Sequence, residues 1–335
     1  MKMNKILFLN TLILSTLISI SAYNWFTMWI GLEINLLSFI PLMNDSKNIL
    51  SSEASIKYFI VQAISSMMIL FAFLMTLLMN DFLMEMKFPF ILIMSSSLLM
   101  KLGAAPFHFW FPEMIEGLSW FNALILLTWQ KIAPMILLMY NFNFSYFFIL
   151  VILSSLLISG LNNWNQTKLK KIMAFSSMNH LGWMLSILFF NQSLWLFYFF
   201  IYTFLTLNLV WMFNWSKIMN LSQIFSFLNF NKYLKYFFFL NFFSLGGIPP
   251  FLGFFPKWLI LNILIQNNFL MLAFMMIFLT LLTLFVYIRI MFQAFTLNFI
   301  DSKILSLNIS MFQIFFINFM NIFGLMIFTM IFNFF

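Results

Sequence analysis

Apolar runs of 18 or more residues recur along the whole 335-residue chain, separated mostly by short polar breaks. About 20 apolar residues cross the hydrocarbon core of a bilayer as a helix. Lipid offers no partner to a free backbone amide, so only helices and closed barrels span it. The runs lack the strict alternation of a barrel strand. The pattern therefore predicts an all-α, polytopic membrane protein with eleven spans: 6–23, 25–43, 54–79, 88–116, 120–140, 144–161, 168–190, 194–213, 236–265, 269–295 and 311–334. Connections are short except 216–235 and 296–310, and no Pro/Ser-rich linker divides the chain. Residues 1–335 thus read as a single transmembrane domain.

Two spans carry interruptions. Span 88–116 contains Gly103, Ala104, Ala105 and Pro106, and span 236–265 contains Gly246, Gly247, Pro249, Pro250 and Gly253. Proline inside a helix removes a donor and clashes with the preceding turn, costing about 3 kcal/mol. Each span is expected to be two half-helices joined by an unwound stretch. The broken spans are the fourth and ninth, five apart. A repeat of odd length must be inverted in the membrane, and paired interrupted spans are the mark of inverted-repeat transporters. The expected repeats cover about 25–140 and 144–295, followed by a C-terminal helix at 311–334.

Composition sharpens this reading. The chain is 64% hydrophobic and 7% charged, with a mean hydropathy of +1.03. It has no cysteine, which removes disulfides, thiolate-bound iron–sulfur clusters and Cys zinc sites. His108 and His180 are too few for a metal centre, so no metal or other cofactor is expected in this chain. The net charge of +8 points to nucleic acid only until the lysines are placed. With eleven spans, one side of the membrane receives Lys2, Lys5, Lys47, Lys168, Lys170, Lys171, Lys217, Lys232, Lys235 and Lys303, and the other only Lys87. Ten against one is a positive-inside asymmetry. It puts the N-terminus in the cytoplasm or mitochondrial matrix and the C-terminus opposite, with no nucleic-acid partner. The opening MKMNK and its apolar run imitate a signal peptide, but without a cleavage site they read as a retained first span. Lysine outnumbers arginine 15 to 1, and Phe, Met, Ile and Asn abound, as in an AT-rich gene read with an animal mitochondrial code.

Against this sparing use of charge, Glu33, Lys101, Lys131 and Lys257 fall near the middle of their spans. A charge at the bilayer centre costs about 2.5–3.5 kcal/mol on insertion scales, and such residues mark ion and proton pathways. Glu33 is the candidate acid, and the lysines are candidate proton carriers, two of them beside the breaks. Structural ion pairs are the plain alternative, yet the buried lysines outnumber the clearly buried acids. His180, and less directly His108, offer relays, and equally serve as hydrogen-bonded packing residues. Lys57 can snorkel or join Glu33. Glu113 and Glu116 are expected to be solvated, and Arg289 to snorkel. The aromatics and 28 methionines read as lipid-facing and packing surface.

Five stretches carry a resemblance: WIGLEINLLSFIPL around Glu33, LLMKLGAAPFHFWFPEMIEGL around Lys101, LLTWQKIAPM around Lys131, KKIMAFSSMNHLGWM around His180 and FFSLGGIPPFLGFFPKW around Lys257. In order and over nearly the whole chain, these resemble the antiporter-like membrane subunits of mitochondrial NADH:ubiquinone oxidoreductase, respiratory complex I, in an insect-like version. The resemblance implies two inverted five-helix repeats. It implies that Glu33 and Lys101 are the acid–lysine pair of a first half-channel, Lys131 the central lysine, and Lys257 the lysine of a second. His180 and His108 would belong to the hydrated axis between them. It further implies an inner mitochondrial membrane location and partners among other membrane subunits, including neighbouring antiporter-like ones, and phospholipids. FMN, iron–sulfur clusters, NADH and ubiquinone would be bound by other subunits. A free-standing cation/proton antiporter is the alternative; it would need a carboxylate-rich cation site, and Glu33 alone makes that weak. A scaffold whose polar residues are merely structural is the third reading.

Overall fold

The computed structural model describes residues 3–44, 48–78, 87–141, 146–188, 190–228 and 232–296, with 319, 321 and 324. It divides into two compact units, 1–145 and 146–335.

In the first unit, α1 (Met3–Ser21) packs on α2 (Trp25–Met43), and α3 (Ile49–Leu78) lies against α2, α4 (Lys87–Leu102) and α5 (Trp110–Gly117). Helices α6 (Trp120–Leu127) and α7 (Trp129–Tyr140) follow. The expected span 120–140 is therefore bent at Thr128, although the sequence reading kept it whole. Pro134, inside α7, has no amide to offer the Gln130 carbonyl, and its ring crowds that turn. At Thr128 the amide and the hydroxyl both return to the Leu124 carbonyl, at 3.0 and 2.8 Å. Helix α3 also begins earlier than the predicted 54, at Ile49, which sets Lys57 in its third turn.

In the second unit, α9 (Leu169–Leu188) is the central helix: of its 20 residues only Lys171 is not buried. A helix buried all round belongs to a core. It is flanked by α8 (Tyr146–Asn163), α10 (Gln192–Ser216), α13 (Phe254–Gln266) and α14 (Leu270–Thr296). The connection 216–235 is not featureless, since it contains α11 (Leu221–Leu228). It is pinned to the segment before α9 by Leu169 N–H to Met219 O and Leu221 N–H to Thr167 O, both at 3.0 Å. Helix α12 (Lys232–Gly246) precedes the second break.

Both interrupted spans are broken as expected, and by the same backbone device. Helix α4 stops at Gly103 (φ 70°) and α12 at Gly247 (φ 76°), left-handed positions that suit glycine. Gly103 N–H reaches back to Met100 O and Ala104 N–H to Leu99 O; Gly247 N–H reaches Ser244 O and Ile248 N–H reaches Phe243 O. The unwound stretches then match step for step. Phe107 N–H donates to Ala104 O and Phe251 N–H to Ile248 O, both at 2.9 Å. Phe111 N–H donates to His108 O and Phe255 N–H to Leu252 O. Side chains keep the same register: Gly103 with Gly247, Pro106 with Pro250, Phe107 with Phe251, Phe111 with Phe255 and Pro112 with Pro256. In that register Glu113 matches Lys257, and Lys101 matches Leu245.

Ten of the eleven expected spans fall on helices among the described residues, three of them as bent or broken pairs. Among the described residues seven spans are long and apolar enough to cross a membrane on length and composition alone, the α6–α7 pair counted as one. The eleventh expected span, 311–334, lies outside the described residues except for 319, 321 and 324, as do Lys2, Lys47 and Lys303.

Candidate functional site

Lys101 occupies the last turn of α4, just before the break, and is 7% exposed; Lys131 opens α7 and is 2% exposed. A cavity of about 20 Å³ joins them, lined also by Asn35, Tyr58, Gln62, Trp110, Phe111 and Gln130. That is room for about one water, with enough polar groups around it to hold one. Gln130 Nε2 donates to Asn35 Oδ1 at 2.9 Å, and Gln62 Nε2 donates to the Lys101 carbonyl at 3.3 Å. Lys131 Nζ stands 5.9 Å from the centre of the Phe111 ring, in cation–π range. Phe111 in turn packs on Gly103, where a Cβ would meet its Cβ at 3.0 Å.

Glu33 is half-buried on α2. Its carboxylate acts on Lys101 through space, without a direct ion pair. Lys57 does not join it. The Lys57 ammonium bridges Glu53 Oε1 and Glu113 Oε2, both at 2.9 Å, with 39% of its side chain exposed. The charged groups of the first unit thus separate into an exposed ion cluster and a buried lysine pair. His108 is buried beside the break, its Nδ1 at 3.3 Å from the Pro106 carbonyl and its ring 4.4 Å from that of Phe109.

In the second unit Lys257, 6% exposed, sits in the first turn of α13. Its ammonium donates to the Gly246 carbonyl at 2.8 Å, closing the open end of α12, and lies 5.7 Å from the Trp183 ring. Its stem fills the space over Gly247, where a Cβ would meet Cδ at 2.9 Å and Nζ at 3.0 Å. Pro249 and Pro250 lie in the unwound stretch that follows.

His180 lies one turn before Trp183 on α9. Its Nδ1 is 2.8 Å from the Tyr198 hydroxyl, and its ring lies 5.0 Å from that of Tyr202. Tyr202 and Tyr287 hydrogen-bond to Ser177 and Ser176. Asn179 Nδ2 donates to Thr283 Oγ1 at 2.7 Å. In sequence these tyrosines read with the other aromatics as lipid-facing and packing surface. The signal available was Tyr198 and Tyr202 four apart, hence on one helix face, together with Ser176 and Ser177 one turn before His180. Asn35, Gln62 and Gln130 were likewise missed, although each is a polar side chain within an apolar span.

An apolar, all-helical chain with paired broken helices and buried lysines at both is a polytopic membrane protein with an ionisable interior. A family profile described as NADH:quinone oxidoreductase/Mrp antiporter, transmembrane, matches residues 22–283. NADH-ubiquinone oxidoreductase chain 2 of Anopheles gambiae is 51% identical over 301 residues, covering 89% of this chain and 88% of that protein. The same-named protein of Aedes aegypti is 47% identical and is covered over 98% of both. Among solved structures, a chain of respiratory complex I from Thermus thermophilus with bound aureothin superposes with a TM-score of 0.85 at 19% identity, over 97% of this chain and 78% of that one. A chain of the Mrp complex from Dietzia gives 0.74 at 16% identity, over 88% of this chain and 62% of that one. The chain belongs to the NADH:quinone oxidoreductase/Mrp antiporter family, within the group formed by these chain 2 proteins.

Proposed function

We propose that this chain is a proton-translocating membrane-arm subunit of an NADH:ubiquinone oxidoreductase in the inner mitochondrial membrane, a subunit of that enzyme with no redox centre of its own. The observation that carries this reading is the small polar cavity lined by both Lys101 and Lys131. Two ammonium groups facing one small polar space repel each other if both are charged. A proton held by one therefore lowers the occupancy of the other, which is how a shared site passes a proton on. Glu33 biases Lys101 from a distance. Charges about 4 Å apart interact by about 4 kcal/mol at an effective dielectric of 20, and the interaction weakens as they separate. A small movement of α2 against α4 therefore changes which lysine is protonated. His108 is a secondary relay in this first set.

In the second set, Lys257 carries the proton and His180 relays it. The matched breaks support reading the two sets as inverted repeats of one antiporter-like domain, about 25–140 and 144–295. Electron transfer, with its FMN, iron–sulfur clusters and ubiquinone, belongs to other subunits of the assembly. The lysine asymmetry of the loops supports an N-terminus in the matrix and a C-terminus in the intermembrane space.

The test is proton pumping by the assembled complex in liposomes with Lys131→Ala. NADH-driven pumping is expected to collapse; full coupled pumping by that variant overturns the reading.

A further inference from the structure

We infer that Tyr198 is a positioning residue for His180, fixing which ring nitrogen carries the imidazole proton. The inference rests on the reading of His180 as a relay. Tyr198, Tyr202 and Tyr287 converge on the 176–180 segment of α9 from α10 and α14, and all three are at most 2% exposed. Their hydroxyls face different partners. Ser177 gives its proton to Ala174 O at 2.7 Å and Ser176 gives its own to Met173 O at 2.8 Å. Tyr202 and Tyr287 have Ser177 and Ser176 as hydrogen-bond partners.

Tyr198 differs, because its hydrogen-bond partner is the titratable His180 Nδ1 at 2.8 Å. With the imidazole neutral, the phenol donates to Nδ1 and the ring proton resides on Nε2. When His180 takes a second proton, Nδ1–H becomes the donor and the phenol oxygen the acceptor; the tyrosine keeps its own proton and turns it away. The same contact therefore holds the ring in one orientation in both states, and leaves Nε2 as the atom that gains and loses the mobile proton.

The assembled complex in liposomes provides the test, with proton flux per NADH oxidised as readout and native gels as the check on assembly. Tyr198→Phe is expected to lower flux about fivefold, the factor of one buried hydrogen bond, while Tyr202→Phe changes it little. In a His180→Gln background, Tyr198→Phe should cause no further loss. Tyr198→Gln and Tyr198→Met form a second pair of similar volume, of which only glutamine donates; the glutamine variant should pump better. Wild-type flux in Tyr198→Phe with His180→Gln impaired overturns the inference alone, as does an undiminished Tyr198→Phe loss in the double variant or equal flux in the Gln and Met pair. Wild-type flux in His180→Gln removes the relay and the inference together.

Discussion

The Lys257 ammonium donates to the Gly246 carbonyl at 2.8 Å, so a side chain in the first turn of one half-helix closes the last turn of the other. The same stem lies over Gly247, which has no Cβ to obstruct it. A candidate proton carrier is thus also part of the break it sits beside. Lys257→Met retains the stem and removes the donor. It should abolish pumping while lowering the thermal stability of the complex only by the net value of one hydrogen bond to a charged group, about 1.5–3 kcal/mol. Differential scanning beside a pumping assay separates the two effects.

Gly247→Ala should be worse for assembly than for chemistry. The left-handed backbone alone costs a non-glycine residue about 1–2 kcal/mol, and the new methyl would meet Lys257 at 2.9–3.0 Å. Gly103→Ala should behave alike, since its methyl would meet Phe111. The yield of assembled complex is the measurement, and normal yield in both variants would show that the glycines are not required.

Gln130→Leu removes the donor to Asn35 and makes one wall of the Lys101–Lys131 cavity apolar. A water there would lose a partner, and pumping should fall about fivefold for one lost hydrogen bond with assembly intact. Lys57→Met offers the contrast. Its ion cluster is exposed, and exposed pairs contribute about 0–1 kcal/mol. Pumping and stability should both stay near wild type, so a Lys57→Met variant that cannot pump would return Lys57 to the proton path.

Asn321→Leu tests the tie of the C-terminal segment. Asn208 Nδ2 donates to Asn321 Oδ1 at 2.9 Å, and Asn321 Nδ2 donates to Asn241 Oδ1 at 2.6 Å. Leucine would remove the acceptor of Asn208 Nδ2 and the donor to Asn241 Oδ1, costing about 1–3 kcal/mol for each unmade bond. The melting temperature should drop while the first unit's lysine cavity is untouched.

Much of this was legible from residue types alone. Glycine and proline marked the two breaks because their effect on a helix is local, and the expense of buried charge marked Lys101, Lys131 and Lys257. What escaped depends on tertiary neighbours. The bend at Thr128 falls six residues before Pro134, and a lone proline does not say where a helix divides or whether it merely loses one bond. Lys57 was left between snorkelling and joining Glu33, because its partners Glu53 and Glu113 required knowing that α3 meets α5. Tyr198, Tyr202 and Tyr287 look like any aromatic of an apolar helix until their hydroxyls are seen to face α9.

The matched ladder of the two breaks places an uneven constraint on how the chain can vary. Gly103, Pro106 and Phe111 answer to the same backbone geometry as Gly247, Pro250 and Phe255, so substitutions harmful at one break are harmful at its counterpart. Glu113 and Lys257 share a register but not a duty, and nothing binds them to change together. A shared backbone device can thus be kept at both breaks while the charged residues beside them differ.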